Sequence, residues 1–148
     1  MTPRISLANI PQEGYQAVLG LEKYAASNVE PVLYHLLKLR ASYLNGCAYC
    51  IDMHTRDALK MGESTQRLFA VAAWKEAPAF FTEAERAAFA LTDAVTFIAD
   101  GGVPDDVWER ARAVWSEKEV ADLLIAIATI NVWNRLAISL HAEPELAG

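Results

Sequence analysis

Two cysteines and a histidine sit close together in Asn45-Gly46-Cys47-Ala48-Tyr49-Cys50-Ile51-Asp52-Met53-His54, and these are the only cysteines in the sequence. If the stretch is helical from about Cys47 onward, Cys50 and His54 lie one turn apart. Cys47, Cys50 and His54 then fall within an arc of roughly 60° on one helix face. Asn45-Gly46 supplies the punctuation in front, and either residue suits the N-cap of that helix. A thiol at a helix N-terminus meets the positive end of the dipole, which favours the thiolate. A neighbouring imidazole takes the thiol proton, or stabilises the thiolate when it is itself protonated. Two thiols, a base and a helix start are the parts of a redox site. Which thiol attacks is left open by spacing alone, since the more N-terminal Cys47 has the larger share of the dipole.

Other uses of the same residues fit less well. A disulfide between residues three apart closes so short a loop that it would staple almost nothing. Zinc is a better competitor: Cys47, Cys50 and His54 give three ligands, with His35 or His141 as a fourth. Zinc-binding pairs normally lie on turns or knuckles, and a second Cys-x-x-Cys is missing here, so no metal is expected. The thioredoxin fold, the usual home of Cys-x-x-Cys, needs strands alternating with helices. Period-two alternation is absent over any useful length, and the fold class expected is all-α.

The elements that must position the site read as follows. Pro11 to about Ser27 forms a first helix, and Ser27 or Asn28 breaks it. Pro31 opens a second helix running to Leu44, with Val32, Leu36, Leu39 and Tyr43 as its apolar stripe. Arg40, within that stripe, is read as an ion-pair or carbonyl-binding residue. The site helix stops at Gly62, and Ser64 caps a helix carrying Leu68, Phe69, Val71, Ala72 and Trp74 until Pro78 ends that segment. Thr82 to Glu85 is a capping box opening a helix to about Ala99, which Gly101-Gly102 closes. Pro104-Asp105-Asp106 starts a short helix to about Trp115. Ser116 to Glu119, a second capping box, opens a last helix to about Leu140. Its middle, Leu123 to Trp133, leaves almost no polar face, which calls for a central position or a partner subunit. Asn131, Asn134 and Arg135 are read as interhelical hydrogen-bonding residues, and His141 as a surface residue.

Leu39-Arg40-Ala41-Ser42-Tyr43-Leu44-Asn45-Gly46-Cys47-Ala48-Tyr49-Cys50, followed by Asp52-Met53-His54, resembles the alkyl hydroperoxidase D-like core of the carboxymuconolactone decarboxylase family. Asn131 to Ala137 looks like a late helix of the family's short members. The resemblance implies a single-domain helical bundle of six to seven helices over residues 1–148. It implies a peroxidase or disulfide oxidoreductase in which Cys50 attacks the peroxide, Cys47 resolves the sulfenic acid, and His54 activates Cys50. It implies no bound cofactor, an external dithiol reductant of lipoyl type, a thiol reductant protein as partner, and assembly as a trimer or hexamer. The family's proton relay uses a glutamate twelve positions before the first cysteine, where this chain has His35; a histidine between the cysteines is also replaced, by Ala48-Tyr49. With its helix ending just before Asn45-Gly46, His35 is expected to fold back against the site helix and stand in for that glutamate. Two such imidazoles would resist double protonation. A redox-sensing or structural oligomer without turnover is the alternative. Lactone decarboxylation, carried by the family name, needs no cysteine pair.

The bounds agree with this reading. The 148 residues fit one domain, and 53% hydrophobic against 22% charged residues argues against disorder. A net charge of −6 gives no reason to expect nucleic acid or an anionic membrane as a partner. The longest unbroken apolar run, Leu68 to Trp74, is far short of a bilayer span. Residues 1–10 lack the pattern of a secretory signal, and two close cysteines suit a reducing compartment, so a cytoplasmic location is expected.

Overall fold

Proline and acidic caps mark out the helices. The computed structural model describes residue 2 and residues 4–146, and its elements are helical throughout. A single 3-10 turn, Leu7–Asn9, precedes α1 (Gln12–Asn28), for which Pro11 is the N-cap. In α2 (Pro31–Asn45), Pro31 occupies the first turn and the Glu30 carboxylate accepts from the backbone N–H groups of Val32 and Leu33, at 3.1 and 2.8 Å. Then come α3 (Ala48–Lys60), α4 (Thr65–Ala70), α5 (Glu83–Thr96), α6 (Asp105–Val114) and α7 (Glu117–Leu140). The capping boxes at Thr82/Glu85 and Ser116/Glu119 both form. Among the described residues there are seven α-helices and no strand, as the all-α reading expects.

Three boundaries differ from the sequence reading. Neither Asn45 nor Gly46 caps α3. Gly46, at φ 69°, ends α2 in the left-handed conformation, Asn45 is the last residue of α2, and Cys47 itself is the N-cap of α3. The helix expected from Ser64 to Pro78 is broken: α4 stops at Ala70, and residues Val71–Glu76 form 3-10 turns with a kink at Ala73. Arg40 Nη1 takes the carbonyls of Val71 and Ala72, at 3.3 and 2.6 Å, and a continuing α-helix would need those acceptors for its own next turn. The segment does end just before Pro78, which then opens a one-turn 3-10 helix, but α5 ends at Thr96, three residues early.

Two apolar cores meet at α2. Leu33 and Leu37 face one, with Ala25 of α1, Leu91 of α5, and Leu123 and Ile127 of α7. Leu36 and Leu39 face the other, with Leu68, Trp74, Phe81 and Phe89. By length and composition alone α7 could cross a membrane, but here it is a core helix against α1, α2 and α5. Leu123, Ala126, Ile127 and Ile130 of its middle are buried within this chain, while Leu124, Ile125, Val132 and Trp133 keep partial exposure.

Arg40 holds the second core together, as the sequence suggests. Its Nε and Nη2 donate to the two Asp93 carboxylate oxygens at 2.6 and 3.1 Å. Trp74 Nε1 also donates to Asp93, at 3.3 Å. Breaking one partner of a buried pair of this kind costs about 3–5 kcal/mol. Arg40→Leu should lose that much in urea unfolding, and Arg40→Lys should recover only a minor part, since an ammonium cannot span Asp93 and two carbonyls together. A loss under about 1 kcal/mol, the scale of an exposed pair, would remove Arg40 from this role.

Candidate active site

The two-residue turn Gly46-Cys47 brings α3 back alongside α2, so residues of both helices face the same space. Cys47 and Cys50 are free thiols, 2% and 1% exposed, and His54, one turn beyond Cys50, is also 2% exposed. The Cys47 thiol lies low, at about 7, because the Cys50 thiol and backbone N–H face its sulfur. Burial opposes that shift, and the Asn134 side chain assists it. The Cys50 thiol is pushed up, first by its hydrogen bond to Cys47 and then by burial, with Asn134 and Lys38 pulling the other way. The pair therefore gives up one proton readily and resists losing the second.

Behind the thiols, polar side chains lock α7 to α2. Asn45 Nδ2 donates to Asn131 Oδ1 and Asn134 Oδ1 at 3.0 and 2.9 Å, and Asn134 Nδ2 donates to Ser42 Oγ at 3.0 Å. Arg135 Nη1 donates to Asn131 Oδ1 at 2.7 Å. These residues bond between and along helices, as expected. Asn134 does more, since its amide also reaches the cysteine pair. His141 caps α7 in a left-handed conformation, away from the site.

In front of the thiols lies a cavity of about 770 Å³ between the Leu7–Asn9 turn, α1, α2, α3 and α7. Tyr15, Leu19, Met53 and Trp133 contribute apolar wall, and Cys50, His35, His54 and Asp57 line it. Cys47 does not border it. His35 does fold back against α3: its ring centroid is 6.1 Å from that of His54, with the planes tilted by 50°. Burial, then the Lys38 charge, then His35 lower His54 to about 2, so it is a neutral imidazole at ordinary pH. His35 is lowered as well, by burial first and then by Lys38, while Asp57 and Glu22 oppose the shift. Neither His54 nitrogen, nor Nδ1 of His35, has a protein hydrogen-bond partner.

Sequence reasoning missed the charge beside these groups. Lys38, only 4% exposed, donates to Glu22 Oε1 and, at 3.3 Å, to Tyr34 Oη. Tyr34 Oη also donates to Glu22, as does Trp133 Nε1 at 3.0 Å. Burial pushes the Glu22 carboxyl up, but Lys38, Tyr34 and Trp133 outweigh it and hold it below its ordinary value. Burial also lowers the Lys38 ammonium, against the pull of Glu22. Glu22 borders the cavity, whereas Glu30 is spent on capping α2. A lysine set between Leu36 and Leu39 was the available signal for Lys38. Asp57, one turn past His54, was visible only as a helical spacing.

Residues 12–94 match the model of the carboxymuconolactone decarboxylase family. The chain is 40% identical over 141 residues to the uncharacterized protein YdfG of Bacillus subtilis strain 168, covering 95% of each. The crystal structure of ATU0492 from Agrobacterium tumefaciens, a protein of unknown function and a candidate antioxidant defence protein AhpD, superposes with a TM-score of 0.94 at 41% identity. It covers 99% of this chain and 100% of that one. An alkylhydroperoxidase AhpD core protein from Ralstonia eutropha JMP134, peroxidase-related and uncharacterized, shares the fold at a TM-score of 0.72 and 16% identity, over 97% of this chain and 91% of that one. Fold, cysteine pair and family match agree, and the chain belongs to the carboxymuconolactone decarboxylase family, on its alkyl hydroperoxidase D-like side.

Proposed function

We propose that this chain reduces peroxides with its thiol pair, Cys50 attacking and Cys47 resolving. The observation that carries the reading is the asymmetry of the pair: Cys50 borders the cavity of about 770 Å³, and Cys47 lies behind it. A Cys50 thiolate attacks one peroxide oxygen, the O–O bond breaks, and the departing oxygen takes a proton to leave as alcohol or water. Cys50 is thereby oxidised to sulfenic acid. The Cys47 sulfur then attacks Cys50, water leaves with the hydroxyl and one proton, and a disulfide remains. An external dithiol, lipoyl-type by the family resemblance, supplies two electrons and two protons to restore both thiols.

The residues divide this work. The easier proton loss is from Cys47, so attack by Cys50 needs a proton shift inside the pair, which Lys38 favours by stabilising negative charge on Cys50. His54 is too strongly desolvated to hold a thiolate by charge. We assign His54 and His35 to proton transfer between the Cys50 thiol and the departing oxygen, the role in which a neutral imidazole serves. The apolar wall of Leu19, Met53 and Trp133 suits an organic hydroperoxide better than hydrogen peroxide.

Cys50→Ser should abolish dithiol-dependent peroxide consumption. Cys47→Ser should consume about one equivalent and then stall with a sulfenic acid that a carbon nucleophile traps. Undiminished turnover by Cys47→Ser would end the resolving role. The electrostatic assignment has its own check in the Cys47→Ser background, from the pH dependence of Cys50 alkylation. Lys38→Met removes a positive charge near Cys50 and should move the curve to higher pH; Glu22→Gln leaves Lys38 unopposed and should move it to lower pH. Shifts in the same direction would point to general loosening of the site instead.

A further inference from the structure

The thiol chemistry leaves a cluster on the cavity wall unexplained. One donor atom from each of His35, His54 and Asp57 lies within 4.8 Å of the other two. His54 is almost wholly buried, yet both of its ring nitrogens lack a protein partner, and so does Nδ1 of His35. Buried polar atoms are nearly always satisfied, and those that are not in protein call for water or an ion. Here three unmatched nitrogens stand with a carboxylate on the wall of one cavity.

We propose that His35, His54 and Asp57 bind a divalent transition metal, Zn²⁺ by preference, and that its occupancy switches off the thiol chemistry. Two imidazoles and one carboxylate are a donor set that zinc takes readily, with a fourth position left for water or an incoming ligand. Ligand atoms around zinc lie about 2.0–2.2 Å from the ion, so the three side chains must rotate inward from their present spacing. Their backbones are set for it, since His54 and Asp57 are neighbours on α3 and α2 brings His35 alongside. Lys60 pairs with Asp57 at 3.0 Å across the surface and would yield that carboxylate to the ion, while the positive charge of Lys38 is offset by its ion pair with Glu22. The regulatory half rests on the peroxidase reading: a metal on His35 and His54 holds the lone pairs that would move the proton. The binding half is independent of it.

The test starts with the chain carrying both Cys47→Ser and Cys50→Ser, so that sulfur ligation is excluded. Titrated with Co²⁺, it should develop saturable d–d absorption at one equivalent, which Zn²⁺ then displaces. His35→Ala and Asp57→Asn, at partly exposed positions, should each weaken binding by about tenfold or more while circular dichroism shows the fold retained. Absence of saturable Co²⁺ uptake in the double-serine chain, or affinity unchanged in both single variants, overturns the site. In the wild-type chain stripped with a chelator, one equivalent of Zn²⁺ should stop peroxide consumption, and Asp57→Asn should require about tenfold more or beyond. Uninhibited turnover with zinc bound overturns the switch. Zinc binding by a chain whose metal-free form consumes no peroxide leaves the site standing and removes the peroxidase reading.

Discussion

Helix α2 is buried without a break from Leu36 to Ser42, and three of those residues are polar. A buried polar group must find a partner or cost more than the fold can spare. Each of the three finds it on a different element: Lys38 on Glu22 of α1, Arg40 on Asp93 of α5 and the carbonyls after α4, Ser42 on Asn134 of α7. Apolar packing alone would let these helices slide or rotate around α2. The three polar links fix their rotation, and the position of the thiols relative to the cavity follows from that.

The same links set the electrostatics. A wholly desolvated site would hold neutral thiols and neutral imidazoles, inert toward peroxide. The Lys38–Glu22 pair brings a positive charge within influence of Cys50 while keeping it from solvent. The Cys47–Cys50 hydrogen bond lets one sulfur become anionic by borrowing the other's proton. In the proposed chemistry the histidines conduct protons, and the charge is held by a lysine that a motif search passes over.

Much of the fold was legible because it is written in local chemistry. Pro31, Thr82, Ser116 and Gly62 each act within a turn of themselves, and every boundary they signal is found within a residue or so. Arg40 was legible as well, since an arginine on an apolar stripe must be satisfied. The break after Ala70 was not. Nothing in Leu68 to Trp74 signals a kink, because its cause, the Arg40 guanidinium, lies some thirty residues away. Gly46 was placed on the wrong helix for a related reason: Asn-Gly reads equally as an end and a beginning, and only packing decides. His35 and His54 were brought together as expected from the short turn. Asp57 and Lys38 were missed because their significance is relational, arising only once three helices converge.

The Leu7–Asn9 turn closes one side of the cavity, yet it contains no buried residue and precedes the residues matched to the family model. The segment just before it is tied to α7 by Arg4 N–H donating to the Leu140 carbonyl at 3.1 Å. The thiols, histidines and lysine belong to core helices, where almost any change costs stability. The strap over the cavity carries no such burden. Under the proposed chemistry, changes of size or polarity at Leu7, Ala8 or Ile10 would reshape what the cavity admits and leave the reacting groups untouched, so that substrate preference can drift in a segment that folding barely constrains.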